Sequence, residues 1–212
     1  MPEAPLVVAV PKGRVLAPLA KRLAPLGLAP EVLLDGDRRL VRDATLATGA
    51  LRFLLLKPDD VPTYVEWGAA DLGVVGRDVL LERDLDLFAP VDLGIGKCRM
   101  MVAGVPGHVP AREPIRVATK YPGIAARHFQ STGRNAEIIY VQGSVELAPL
   151  TGLADVIVDL VESGETLRQN GLRETELVCD VSSVVVANRT SYKLKRDAIA
   201  PVLAALRSSS GT

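Results

Sequence analysis

The segment richest in chemistry runs Asp155-Val156-Ile157-Val158-Asp159-Leu160-Val161-Glu162-Ser163-Gly164-Glu165-Thr166-Leu167. A buried-strand pattern ends in an acid, then in a short stretch of Gly, Ser and Thr that opens a helical pattern. Backbone amides at such an entrance have no intrahelical acceptor, and with the hydroxyls of Ser163 and Thr166 they suit a phosphate monoester. Asp159, at the strand end, can hold ribose hydroxyls. Asp155, Gly164, Glu165 and Leu167 belong to the same candidate binding segment. An ordinary capped helix start shares these local features, so the segment alone leaves both readings open.

Three further segments repeat the arrangement of strand, loop and helix. In Pro11-Lys12-Gly13-Arg14, Gly13 allows a close backbone approach while Lys12 and Arg14 offer charge to phosphate oxygens. In Lys57-Pro58-Asp59-Asp60-Val61-Pro62, two prolines fix the loop that carries Lys57. Gly143-Ser144-Val145-Glu146 offers a second anion or hydroxyl contact. Each of these alone reads equally as a solvated turn. His108 and His128 lie outside any metal-ligand spacing and are expected at the surface, and no protein metal site is expected. No GxSxG, Walker A or GxGxxG stretch occurs, which excludes the triad hydrolases, P-loop enzymes and dinucleotide folds that depend on them.

The elements that must position these residues follow from periodicity. Strands are expected at Leu6 to Val10, Leu51 to Leu56, Leu72 to Gly76, Leu87 to Val91, Cys98 to Val105, Ile115 to Ala118, Glu137 to Val141, Asp155 to Leu160 and Ser183 to Ala187. Helices are expected at Arg14 to Leu26, Val61 to Gly68, Val79 to Glu82 with Asp78 as cap, Pro122 to Ser131, Val145 to Leu150, Thr166 to Asn170 and Lys195 to Leu206. Arg38 to Asp43 reads as a charged stretch at a hairpin position, and Ser208 to Thr212 as a polar tail that frays. This alternation is that of an α/β protein with largely parallel strands, whose ligands lie at the strands' carboxyl ends.

The 212 residues contain 25 acids and 25 bases, so there is no net positive charge with which to bind nucleic acid non-specifically. Both cysteines, Cys98 and Cys179, read as buried small apolar residues rather than as a disulfide or zinc pair. No apolar run reaches the length of a membrane span, and the amino terminus lacks a signal pattern, so a reducing cytoplasm is expected.

Taken together, Glu146, Gly152, Ala154, Ile157, Asp159, Leu160, Ser163, Gly164, Thr166 and Leu167 match the spacing of the ATP phosphoribosyltransferase signature. Pro11 to Arg14, Asp60 to Val65 and Gly68 to Gly73 resemble other stretches of that family, so the resemblance covers essentially the whole chain. It implies a two-domain, periplasmic-binding-protein-like type II fold, with domain I at 1–91 plus 180–212, domain II at 92–179 and a cleft between them. The reaction it implies is attack by N1 of the adenine of ATP on C1 of phosphoribosyl pyrophosphate, the first step of histidine biosynthesis. Mg2+ would arrive bound to substrate pyrophosphate.

By the same resemblance, Ser163 to Thr166 take the 5′-phosphate and Asp159 the ribose hydroxyls. Lys12, Arg14 and Lys57 take pyrophosphate or triphosphate oxygens, and Glu146 takes a ribose or Mg2+-water contact. Lys57 stands where Arg is frequent and Trp67 where His is frequent. The length resembles the short form, which implies a homo-oligomer joined by a histidyl-tRNA-synthetase-like regulatory subunit. The alternative is a cytosolic small-anion binding or sensor domain of the same fold.

Overall fold

The computed structural model describes residues 4–83, 85, 87–110 and 113–207; the tail at 208–212 lies outside them. The elements in chain order are β1 (Leu6–Pro11), α1 (Leu16–Leu23), α2 (Glu31–Leu34), β2 (Val41–Leu46), β3 (Gly49–Leu56), α3 (Val61–Glu66), β4 (Leu72–Gly76), α4 (Arg77–Arg83) and β5 (Phe88–Gly104). They continue with β6 (Ile115–Thr119), α5 (Pro122–Ser131), β7 (Ala136–Tyr140), α6 (Leu147–Leu150), β8 (Val156–Val161), α7 (Glu165–Gln169), β9 (Arg173–Ala187), α8 (Arg189–Leu194) and α9 (Arg196–Arg207). The chain divides into two compact units, Met1–Leu80 with Asp84–Gly96 and Ser182–Thr212, and Leu81–Arg83 with Lys97–Val181.

In the first unit the strand order is β2-β3-β1-β4-β9. β1 is central and pairs in parallel with β3, from Leu6↔Leu51 to Pro11↔Leu56, and with β4. β2 and β9 add antiparallel neighbours at β3 and β4. Such a β1 is buried on both faces, which is why its sequence is a continuous apolar run. One face packs on α1 and α9 through Leu19, Leu23, Phe53, Ile199 and Leu206, and the other on α3 and α4 through Val61, Val65 and Val79.

The second unit repeats the plan with the order β5-β8-β6-β7. β6 is central, parallel to β7 (Ile115↔Ala136 to Thr119↔Tyr140) and to β8 (Val117↔Val156 to Thr119↔Val158), while β5 runs antiparallel to β8. Met100, Val102, Val117 and Phe129 fill one face, and Met101, Ala118, Ile157 and Leu167 the other.

Several sequence expectations are corrected. Leu87 to Val91 and Cys98 to Val105 are parts of one 17-residue strand, interrupted in the sequence pattern by Gly94 and Gly96, both with positive φ. Ser183 to Ala187 is the end of a 15-residue strand whose first half reads as polar because it is only half buried. The hairpin is that of β2 and β3 and turns at residues 47–48 rather than at Arg38 to Asp43; residues 41–43 open β2, an edge strand with Val41 and Asp43 exposed and Arg42 buried. Asp78 lies inside the first turn of α4 rather than before it. Cys98 and Cys179 are half-buried thiols, not buried ones. His128 is largely buried, with Nε2 3.0 Å from Glu176 Oε1. No helix among the described residues is long and apolar enough to cross a membrane.

One buried polar network ties chain segments of the first unit that lie far apart in sequence. Asp71, 5% exposed, accepts from the Val7 amide at 2.8 Å, from Ser191 Oγ at 2.6 Å and from Lys195 Nζ at 2.8 Å. Asn188 caps α8 through Thr190 and Ser191 and donates to Val65 O, so α8 is held against the same strand ends. Replacing Asp71 by Ala would leave the Val7 amide and the lysine without their acceptor. Asp71→Ala is therefore expected to destabilise by about 3 kcal/mol, whereas Lys195→Met, whose ammonium is 38% exposed, should cost about 1 kcal/mol. Denaturant unfolding of both variants tests this order.

Candidate active site

In an open α/β sheet the crevice for ligands forms outside the carboxyl ends of the strands, where the connections leave in opposite directions. β6 meets this condition in the second unit. Its own connection runs through α5 to β7 on one side, while β8 flanks it on the other. The loops that open at this edge are Lys120–Tyr121 after β6, 141–146 after β7 and 162–164 after β8.

Asp159 lies on β8 one residue past Val158, the partner of Thr119, and is half buried. Burial pushes its carboxyl above the ordinary aspartate range, and the charge of Glu146 adds to this; the Leu160 amide, donating at 2.8 Å, and the charge of Lys120 pull the other way. Glu146 is thus electrostatically coupled to Asp159, from the turn before α6. Ser144 in that turn has φ of 49°, a left-handed backbone rare for a residue with a side chain.

The turn after β8 is built around Gly164. Its φ is 73°, so the position needs glycine for its conformation; a β-carbon there would also stand 2.8 Å from Glu174 Oε1, and that side chain would have to shift. Ser163 Oγ faces the Glu165 amide at a long 3.4 Å, and Arg168 N donates to Gly164 O. Thr166 is exposed. Leu167 is 5% exposed and packs with Ala118 and Ile157, so its side chain anchors the turn and only its backbone is available to a ligand. The Glu165 carboxylate is held below its ordinary range, first by Arg168 and then by Gln169, both on its own helix.

Asp155 is not brought to this edge. It precedes β8 at the strand's amino end, where its carboxylate accepts from the Arg116 amide at 2.8 Å and stands 3.7 Å from His108 Nε2. Its place is that of a buried strand clamp.

In the first unit the parallel pair Pro11↔Leu56 closes β1 and β3, so Lys12 and Lys57 stand abreast just beyond it, and the Lys12 amide donates to Leu56 O. Gly13 has φ of 109° and turns the chain into α1. Lys12, Gly13 and Arg14 line a pocket of about 630 Å³ with Arg38, Arg39 and Arg42. Arg42 is a scaffold for that wall. Only 7% exposed, it donates to the carbonyls of Val32, Asp35 and Asp37 and to Asp37 Oδ1. Arg39 pairs with Asp37, whereas Arg38 is exposed.

Sequence reasoning missed the basic loop at Arg38 and the ammonium of Lys120. Arg38 gave no signal because its loop was read only as charge. Lys120 sits between a strand and a helix, as Lys12 does, but without the glycine that drew notice to Lys12.

Comparison with known proteins places the chain in a family. Residues 57–208 match the family model described as ATP phosphoribosyltransferase. ATP phosphoribosyltransferase of Sorangium cellulosum is 58% identical over 203 residues, covering 96% of this chain and 95% of the relative. That of Bacillus subtilis is 45% identical over 194 residues, covering 92% and 90%. Among solved structures, the ATP phosphoribosyl transferase (HisG:HisZ) complex from Thermotoga maritima superposes with a TM-score of 0.81 at 35% identity, covering 95% of each chain. The VFT2 domain of Bordetella pertussis BvgS, 12% identical with a TM-score of 0.61 over 97% of this chain and 88% of that one, shares the fold. With the family model matched over residues 57–208 and relatives of this identity along nearly its whole length, the chain belongs to the ATP phosphoribosyltransferase family.

Proposed function

We infer that the chain joins N1 of the adenine of ATP to C1 of the ribose of phosphoribosyl pyrophosphate as the C1–O bond to pyrophosphate breaks. Pyrophosphate leaves with the bonding electron pair. The observation that carries the residue assignments is the half-buried Asp159 at the carboxyl end of β8, followed within a few residues by the Gly164 turn. That order fits a ribose 5-phosphate, with hydroxyls at the strand end and phosphate at the amides of residues 164–166.

The roles that follow are matters of position and charge more than of proton transfer. Asp159 accepts from the ribose hydroxyls, and its negative charge favours the positive character that C1 gains as its bond to oxygen lengthens. Ser163, Gly164 and Thr166 hold the 5′-phosphate. Lys12, Arg14 and Lys57 are assigned to pyrophosphate or triphosphate oxygens, Lys57 as a point charge.

Among the described residues no three His, Cys, Asp or Glu side chains cluster to hold a metal, and Mg2+ is read as a passenger on the donor's pyrophosphate. There it would offset charge on the leaving group. A regulatory subunit of the HisZ kind, supported by the Thermotoga maritima complex, and a cytoplasmic setting belong to the same proposal.

Purified chain mixed with ATP, phosphoribosyl pyrophosphate and Mg2+ should form N1-(5-phosphoribosyl)-ATP, faster when a HisZ-like subunit is added. Binding of another small anion with no product in either mixture would instead favour an anion-sensing domain.

Asp159 yields a second expectation, in which function and stability oppose one another. Its folded-state pKa is raised, so the native chain holds this proton more tightly than the unfolded chain. The stabilising contribution is complete below the unfolded value, near about 4, and is lost as pH rises through the folded value. Asn keeps an acceptor for the Leu160 amide and removes the charge. Asp159→Asn should therefore raise the Tm by a few degrees, on the order of 2–4 °C, at pH 7.5, a gain that vanishes in acid. The same change should weaken phosphoribosyl pyrophosphate binding by about 1.5–3 kcal/mol. Calorimetry of melting and of binding reads both.

A further inference from the structure

The assignment of Asp159 to the ribose hydroxyls leaves the charged Lys120 at this edge without a role, and the inference that follows rests on that assignment. β6 is the middle strand of the parallel trio and ends at Thr119, which pairs with Val158 on one side and Tyr140 on the other. Lys120 and Asp159 are the next residues of two neighbouring parallel strands, which lie about 4.8 Å apart. On the far side the Val141 amide donates to Thr119 O at 3.0 Å, and the chain continues through Gly143 to Glu146. Lys120 is thus flanked by the strand end carrying Asp159 and the turn carrying Glu146.

The lysine's place is well determined. Thr119, wholly buried, fixes the backbone on one side of it through its hydroxyl, which donates to Val158 O at 2.6 Å and accepts from the Tyr121 amide at 2.8 Å. On the other side Tyr121 is 6% exposed, and its ring centroid lies 5.8 Å from Lys120 Nζ. The charged groups acting on Asp159 are Glu146, of like sign, and Lys120, of opposite sign; on β5 the residue paired with Asp159 is the uncharged Met101.

We propose that Lys120 is a positioning residue for the transfer: its ammonium offsets the facing carboxylates of Asp159 and Glu146, so that Asp159 stays ionised and accepts hydrogen bonds from the ribose hydroxyls of the donor. Burial, with the like charge of Glu146 added to it, favours the protonated form of Asp159, and a protonated Asp159 both loses acceptor capacity and withdraws the negative charge from beside C1. A cation beside Asp159 opposes that tendency without touching the reacting atoms.

The test is an NMR titration of the Asp159 carboxyl in the full chain, set beside the pH profile of kcat/KM for phosphoribosyl pyrophosphate at saturating ATP and Mg2+. In Lys120→Met the Asp159 midpoint and the acid limb of kcat/KM both move to higher pH. The loss reaches roughly tenfold at the acid end and shrinks to within about twofold at the alkaline end. Lys120→Arg restores both, and Glu146→Gln moves both to lower pH. The Gln variant keeps the lysine in place, so it tests the cluster even if Lys120→Met does not fold. An Asp159 midpoint unmoved by either substitution, or a loss in Lys120→Met that is equal at all pH values, overturns the proposal. A wild-type chain that makes no product would contradict the transferase reading, while the order of the Asp159 midpoints would still decide the charge cluster.

Discussion

The Thr119 hydroxyl is the fixed point of the second unit. Buried, it could not remain unpaired without a penalty of about 1–3 kcal/mol, and it meets both of its needs within the fold, donating to β8 and accepting from the chain that leaves β6. Those two bonds set where β6 stops and fix its register on β8, which itself runs on to Val161. Everything at the candidate site is counted from that register: Asp159 one residue beyond the paired Val158, Lys120 one residue beyond Thr119, and the Gly164 turn at the end of the same strand. The first unit uses the same principle with backbone alone, where the Pro11↔Leu56 pair and the bond from the Lys12 amide to Leu56 O bring two lysines abreast.

A second constraint is electrostatic. Burial makes the charged form of Asp159 costly, and a proposed role as acceptor needs that form. The Leu160 amide and the charge of Lys120 offset part of that cost. Elsewhere in the chain charges are engaged fully: Asp71 by an amide, a hydroxyl and an ammonium, Arg42 by four carbonyls and a carboxylate, and Glu82 by the Gly123 and Ile124 amides that open α5. The contrast separates groups that hold the fold from groups placed for chemistry.

The same contrast explains what was legible in the sequence. Apolar runs bounded by Gly, Pro or acid located β1, β4, β6 and β8 to within a residue or so, because strands buried on both faces have no polar positions to blur their limits. The loops that follow those strands were legible for the same reason. β2 and the first half of β9 were not, since an edge or half-exposed strand alternates charge with small residues and mimics a loop. Asp155 and Asp159 looked alike in sequence, four residues apart on one strand; only the direction of β8 sends one to the amino end and the other to the carboxyl end. Leu167 carried the signature spacing but serves the core. Lys120 and Arg38 depend on which strands become neighbours, and periodicity does not encode that.

The central claim is that the carboxyl end of β8 receives the sugar phosphate. The most direct measurement titrates ribose 5-phosphate, which lacks both pyrophosphate and adenine, into isotopically labelled chain and follows backbone amide shifts. The largest shifts are expected at Ser163, Gly164, Glu165 and Thr166, with Leu160 responding through Asp159. Shifts confined to Lys12, Gly13, Arg14 and the loop at Arg38, with the Gly164 turn unmoved, would contradict it.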